Sequence, residues 1–207
     1  MHKQLKSEGY SIKINTEVKD LGVGTALGRT RPRRTKMNRY KRAQTRIKRI
    51  AILVRYKRAA RKLYCTGAWP QKYHGQASTG LNKSELQAAR KEMVQCSGAP
   101  KGCCTTTCIA THYSINKDPI VKARVEQIKE WVKLTKELTE DERAEMNKQY
   151  YKVYGTMYNQ TTEERRVSNK APMTGIIKTM LDIGWEPYSP TKWINGEEEI
   201  ELSLIHI

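Results

Sequence analysis

Between Arg29 and Lys62 the chain carries sixteen Lys and Arg and not one Asp or Glu. A helix that positive repels itself, so it needs either an apolar stripe packed on a partner or phosphates opposite its basic faces. The stripe is present. Tyr40, Ala43, Ile47, Ile50, Ala51 and Val54 recur at three- and four-residue steps, which predicts a helix with basic outer faces. Arg29-Thr30-Arg31-Pro32-Arg33-Arg34 is broken by proline and is expected to be extended, and residues 29–40 are expected to be disordered in isolation. The candidate phosphate contacts are Arg29, Arg31, Arg33, Arg34, Lys36, Arg39, Lys41, Arg42, Arg46, Lys48, Arg49, Arg55, Lys57, Arg58, Arg61 and Lys62.

The asymmetry extends to the whole chain. Residues 1–70 hold 20 Lys and Arg against 3 acids, so nearly all of the formal +18 sits in the front third. That pattern points to a polyanionic partner. Apolar residues make up 38% of the 207, with no Phe at all, so any core is modest and rests on Ile, Leu, Val, Met, Tyr and Trp. No apolar run approaches the ~18 residues of a membrane span, and the front lacks the apolar stretch of a secretory signal. An intracellular chain with no membrane partner is expected. Five cysteines, four of them crowded into 96–108, do not form the spaced, even framework of a secreted disulfide protein, so reduced thiols are expected.

Local signals predict a mainly α fold with short β-hairpins at both ends. Over Gly9 to Gly28, Ile12, Ile14 and Val18 alternate with polar residues before a glycine-rich turn, which predicts a hairpin. Gly22, Gly24 and Gly28 are read as turn glycines, because no helix-opening pattern and no P-loop Lys-Ser/Thr follow them. Asn82 with Glu85 three residues on forms a capping box, Leu81 can staple to Leu86, and Leu86, Ala89, Met93 and Cys96 form a buried stripe. Asp118-Pro119 opens a helix to about Leu138 with Val121, Val125, Ile128 and Val132 on one face. Thr139 and Glu142 cap a second helix running to Tyr154 before Gly155, and the two suggest a helical hairpin. A shorter helix, about Met173 to Ile183, stops at Gly184, and Asn195-Gly196 predicts the turn of a last hairpin.

Catalytic constellations are scarce. Cys96, Cys103, Cys104, Cys108 and His112 are the only dense set of soft ligands, and their spacings do not match the paired C-x₂₋₄-C of structural zinc sites. Cys104, Cys108 and His112 share a helix face, where buried thiols are the simpler expectation. The four aspartates, Asp20, Asp118, Asp141 and Asp182, form no pair, and Glu197 to Glu199 read as a solvated run. No catalytic residue and no metal ligand is assigned. Nucleic-acid binding has positive support, with Tyr40, Tyr56, Tyr64, Trp69 and Tyr73 interleaved among the bases as candidate stacking surfaces.

The order of several short motifs adds a family. Ile12-Lys13-Ile14, Lys19-Asp20-Leu21-Gly22-Val23, the basic Arg46-Ile47-Lys48-Arg49-Ile50, the segment from Arg61 to Gly75 containing Trp69-Pro70 and Tyr73-His74-Gly75, and then Leu81 to Gly98 resemble the region after the active site in non-LTR retrotransposon reverse transcriptases. Asp118 to Leu138 and Leu181 to Ile194 resemble the downstream stretch of protist members, although His74 departs from the family's small or apolar residue. The resemblance implies a helical thumb-like bundle. It implies a palm-edge hairpin remnant at 1–28, a basic thumb-like region at 29–113, a helical connector at 114–190 and the hairpin start of a further region at 191–201. It also implies that Leu21 and Gly22 lie at the primer-contacting edge, that the basic helix lines an RNA–DNA duplex, and that the parent is an RNA-directed DNA polymerase located in the nucleus. The Arg31–Lys36 run fits that location.

The family's magnesium is held by aspartates that include a Phe/Tyr-x-Asp-Asp pair, which this sequence does not contain. No cofactor is therefore expected in this chain. The expectation is a truncated, non-catalytic fragment whose partners are RNA, DNA and the missing palm and fingers of the same polyprotein. Residues 202–207 match one frame of a sequencing adapter and are expected to be a scar. The alternative expectation is a stand-alone basic RNA- or DNA-binding protein, ribosome- or chromatin-associated.

Overall fold

Helix α1 (Arg34–Tyr56) forms on the predicted stripe, with Ala43, Ile47, Ile50 and Val54 buried and Tyr40 half-buried. In the computed structural model the described residues are 17–20, 23–26, 34–159, 172–196 and 198–201. No acid sits in the first turn of α1 to complement the helix dipole. Tertiary contacts compensate: Lys36 pairs with Glu85, the Tyr40 hydroxyl donates to the same carboxylate at 3.2 Å, and Arg39 donates to the His74 carbonyl at 2.9 Å. The expectation of disorder through residue 40 is thereby corrected for 34–40, and residues 29–33 lie outside the described residues.

Among the described residues the fold is mainly α with two short antiparallel hairpins. After α1 come a 3₁₀ turn (Arg58–Arg61), a π-helical stretch (Tyr64–Ala68) running into α2 (Trp69–Tyr73), α3 (Gln76–Thr79), α4 (Lys83–Gln95) and α5 (Thr105–His112). Then follow α6 (Pro119–Glu137), α7 (Glu140–Tyr158) and α8 (Pro172–Asp182). Strands β1 (Glu17–Asp20) and β2 (Val23–Ala26) pair from Glu17↔Ala26 to Asp20↔Val23, and β2 approaches α1. Strands β3 (Lys192–Asn195) and β4 (Glu198–Glu201) pair from Lys192↔Glu201 to Asn195↔Glu198.

Two apolar clusters hold these elements. The first joins Ile47, Ile50 and Val54 of α1 to Tyr64, Trp69, Tyr73, Ala89, Met93, Cys96 and Ile109. The second joins Trp131 and Val132 of α6 to Tyr150 and Met157 of α7, Ile176, Ile177 and Met180 of α8, and Trp193 of β3. Helix α6, about 28 Å long at 1.5 Å per residue, reaches both, with Ala123 in the first cluster and Trp131 in the second.

The caps follow their sequence signals. Asn82 with Glu85 and Thr139 with Glu142 form complete capping boxes, Asp118 accepts from the Ile120 amide at 2.9 Å, and Leu81 and Leu86 both lie against the first cluster. Helix α8 ends in a Schellman motif. Gly184 takes φ +81, its amide donates to Leu181 and the Trp185 amide donates to Met180.

Three expectations are corrected. On α6 the expected face holds at its far end, where Val132 is buried and Ile128 packs against the second cluster, but the buried row is Ala123, Gln127, Trp131 and Thr135, while Val121 and Val125 face solvent. Small Ala123 lets α3 and α4 approach, and the Trp131 indole, donating to the Pro190 carbonyl at 2.8 Å, sets the rotation of the far end. Helix α7 does not stop at Gly155 but continues to Tyr158, because Met157 is buried in the second cluster and the Tyr154 and Tyr158 rings meet at 5.5 Å. In the last hairpin Asn195 is still paired, with Glu198, so the reversal falls one residue later, with Gly196 at φ +62.

Candidate nucleic-acid interface

Turning the apolar stripe of α1 inward forces its remaining residues outward, and the heptad spacing sorts them into rows. Arg34, Lys41, Lys48 and Arg55 recur every seven residues and stand in one exposed row, about 10.5 Å apart. Arg42, Arg49 and Tyr56 form a second exposed row beside it.

Charge pairing decides which bases face solvent unneutralised. Residues 34–118 contain three acids, and each is engaged inside the fold. Glu85 takes Lys36, Glu92 takes buried Lys72, and buried Asp118 takes Arg90, whose Nε lies 2.9 and 3.0 Å from the two carboxylate oxygens. Four of the predicted contacts have internal roles: Lys36 and Arg39 as described, Arg46 donating to the Gly67 carbonyl at 3.2 Å, and Arg61 against His112 Nδ1 at 3.2 Å. Gly67 lies in the π-helical stretch, where the Trp69 amide reaches back five residues to Tyr64, and the Arg46 guanidinium serves a carbonyl of that altered ladder.

Eight predicted bases, Lys41, Arg42, Lys48, Arg49, Arg55, Lys57, Arg58 and Lys62, are exposed and form no ion pair among the described residues. Arg34 is exposed at the first residue of α1, and Arg29, Arg31, Arg33, Leu21 and Gly22 lie outside the described residues. Neighbours in a row, about 10.5 Å apart in water, repel by only about 0.4 kcal/mol before salt screening. A single buried Ile or Val contributes about 1.5–3 kcal/mol, so the apolar stripe outweighs the repulsion and the basic face persists without a ligand.

The candidate stacking aromatics separate sharply. Tyr64, Trp69 and Tyr73 are core residues, the Tyr64 hydroxyl donating to the Ala89 carbonyl at 2.9 Å, and Tyr40 packs edge-on to Tyr73. Burial pushes the Tyr64 and Tyr73 phenols up, so both stay neutral donors. Only Tyr56 of the five is exposed, at 86%.

The soft ligands are dispersed in character. Cys96 and Cys108 are buried, Cys103 and Cys104 exposed, and all five cysteines are free thiols. Burial pushes the Cys96 thiol up to about 12, and its Sγ lies 3.7 Å from the Ile47 carbonyl. No three His, Cys, Asp or Glu side chains among the described residues converge to hold a metal ion. Asp118 caps α6, Asp141 lies in the first turn of α7 and Asp182 ends α8, so these carboxylates do not fit the paired magnesium ligands of a polymerase palm. Among the described residues no helix is long and apolar enough to cross a membrane.

Burial pushes the Cys65 thiol up, and the positive charges of Lys122 and Lys117 pull it down in part. No protein-family model, no curated protein and no solved structure matches this chain.

Proposed function

We propose that the outward face of α1 and the turn after it grip the phosphate backbone of nucleic acid, and that the chain is a non-catalytic piece of a retroelement RNA-directed DNA polymerase holding an RNA–DNA duplex. The observation that carries the grip is the set of eight exposed, unpaired bases on one helix and its following turn. The parent identity rests on the motif order from Ile12 to Gly98 described above. On this reading magnesium and the paired aspartates belong to the missing palm.

Binding of a labelled RNA–DNA duplex is expected to weaken linearly in log–log against salt, with a slope of about −0.9 per phosphate engaged on a B-form reference. Eight contacts would give about −7, and neutralising Lys41, Lys48 and Arg55 together with Gln is expected to flatten the slope by about 2.7. Affinity that does not change between low and high salt would overturn the grip. The parent is tested separately by reading the frame upstream of Met1. A Phe/Tyr-x-Asp-Asp pair within about a hundred residues, the scale of one domain, supports it, and a stop codon directly before Met1 overturns it. One observation favours a stand-alone binding protein instead: the stripe of α1 finds its apolar partners within this chain, so the basic face is assembled without a palm.

A further inference from the structure

At its C-terminal end the basic face changes character. Tyr56, the last residue of α1, is 86% exposed, and Ile52, one turn before it, is 54% exposed. Leu53 between them is 48% exposed, so three large apolar side chains stand in water within five residues rather than singly. Arg49 stands one turn before Ile52 on α1, and Arg55, Lys57 and Arg58 flank Tyr56 along the chain, all exposed and in no ion pair among the described residues, so the occupant is anionic as well as able to cover an aromatic face. The backbone leaves the helix at this point, Lys57 being extended at φ −137 and ψ 103, so the rows of bases that follow a phosphate backbone end where the ring stands.

We propose that Tyr56 is a stacking platform for an unpaired base, with Ile52 beneath it, so that the site prefers a duplex with a single-stranded extension over a blunt one. The inference rests on the proposed phosphate grip and names its substrate class. An aromatic face takes any base, and flanking guanidinium and ammonium groups hold the adjoining phosphates. An anionic membrane is the poorer occupant. A helix lying in a lipid interface needs a continuous apolar face, and that of α1 is already covered by Tyr64, Trp69 and Met93 of its own fold. The outward apolar residues of α1, namely Met37, Ile52, Leu53 and Tyr56, are interrupted by exposed bases.

The test compares fluorescence anisotropy of the full chain with a blunt RNA–DNA duplex and with the same duplex bearing a single-stranded tail, for wild type, Tyr56→Ala and Tyr56→Trp. Wild type is expected to prefer the tailed probe, and Tyr56→Ala to lose about fivefold or more on that probe alone, with the blunt-duplex affinity and salt slope unchanged. Tyr56→Trp should retain the preference. Equal affinity of wild type and Tyr56→Ala for the tailed probe, with salt-sensitive duplex binding intact, overturns the stacking and leaves the grip standing. Wild type that binds neither probe at low salt overturns both. Loss of binding to phosphatidylserine vesicles on Tyr56→Ala, with both oligonucleotides unaffected, overturns the inference in favour of a lipid surface.

Discussion

Gly98 shows how one residue can carry a tertiary requirement. It sits at φ +78 after α4, and a Cβ there would lie 2.7 Å from Val54 Cγ1 on α1. Alanine would meet both the left-handed backbone and the clash, so Gly98→Ala is expected to cost about 1–3 kcal/mol, read as a lowered urea midpoint at unchanged m. An unchanged midpoint would mean that α4 and α1 are not held in that register. Glu142 is a second case. The backbone amide and hydroxyl of Thr139 hold its carboxyl below the ordinary carboxylate range. A depressed pKa stabilises the folded state above the unfolded value of about 4.3, and that contribution disappears as pH falls through the folded value. The protection factors of the amides in the first turn of α7, exchange rates taken relative to the intrinsic rate at each pH, are therefore expected to fall on acidification below about pH 4, and Glu142→Gln to remove that pH dependence. The same acid response in both proteins would place its origin elsewhere.

At the scale of elements, what is legible in sequence is what neighbouring residues settle among themselves. A capping box satisfies two orphan amides within four residues, so Asn82–Glu85 and Thr139–Glu142 read directly, as does the Gly184 stop. The rotation of α6 does not read directly. Val121 and Val125 carry more apolar surface than Ala123 and Gln127, yet the smaller and more polar row is buried, because close approach of α3 and α4 favours Ala123 and the Thr179 hydroxyl, donating at 2.7 Å, satisfies Gln127 Oε1, while Gln127 Nε2 is buried without a hydrogen-bond partner among the described residues. Gly155 misleads for the same reason. Glycine costs a helix interior only about 1 kcal/mol, less than burying Met157 returns. The candidate interface follows this division. Its outward rows are a matter of heptad spacing, whereas the diversion of Lys36, Arg39, Arg46 and Arg61 to inward tasks depends on partners 21 to 51 residues away.

For the whole molecule the balance lies between a modest core and a strong positive field. Every acid in residues 34–118 is paired, so what remains is mutual repulsion among bases on one side of the first cluster. Salt screens that repulsion, and the melting temperature is expected to rise as potassium chloride goes from 10 to 200 mM, over which the Debye length shrinks from about 30 Å to below 10 Å. A melting temperature that falls over the same range would show that the internal pairs outweigh the exposed field. The sequence by itself determined the basic helix, its apolar stripe, the capped starts of α4, α6 and α7 and the mainly helical class, because each depends on periodicity or on groups a turn apart. Only the tertiary structure decided which bases remain free, that Tyr56 alone among the basic-segment aromatics stands in solvent, and which face of α6 is buried. Those outcomes depend on burial and charge pairing between distant segments, and no local pattern records where distant segments meet.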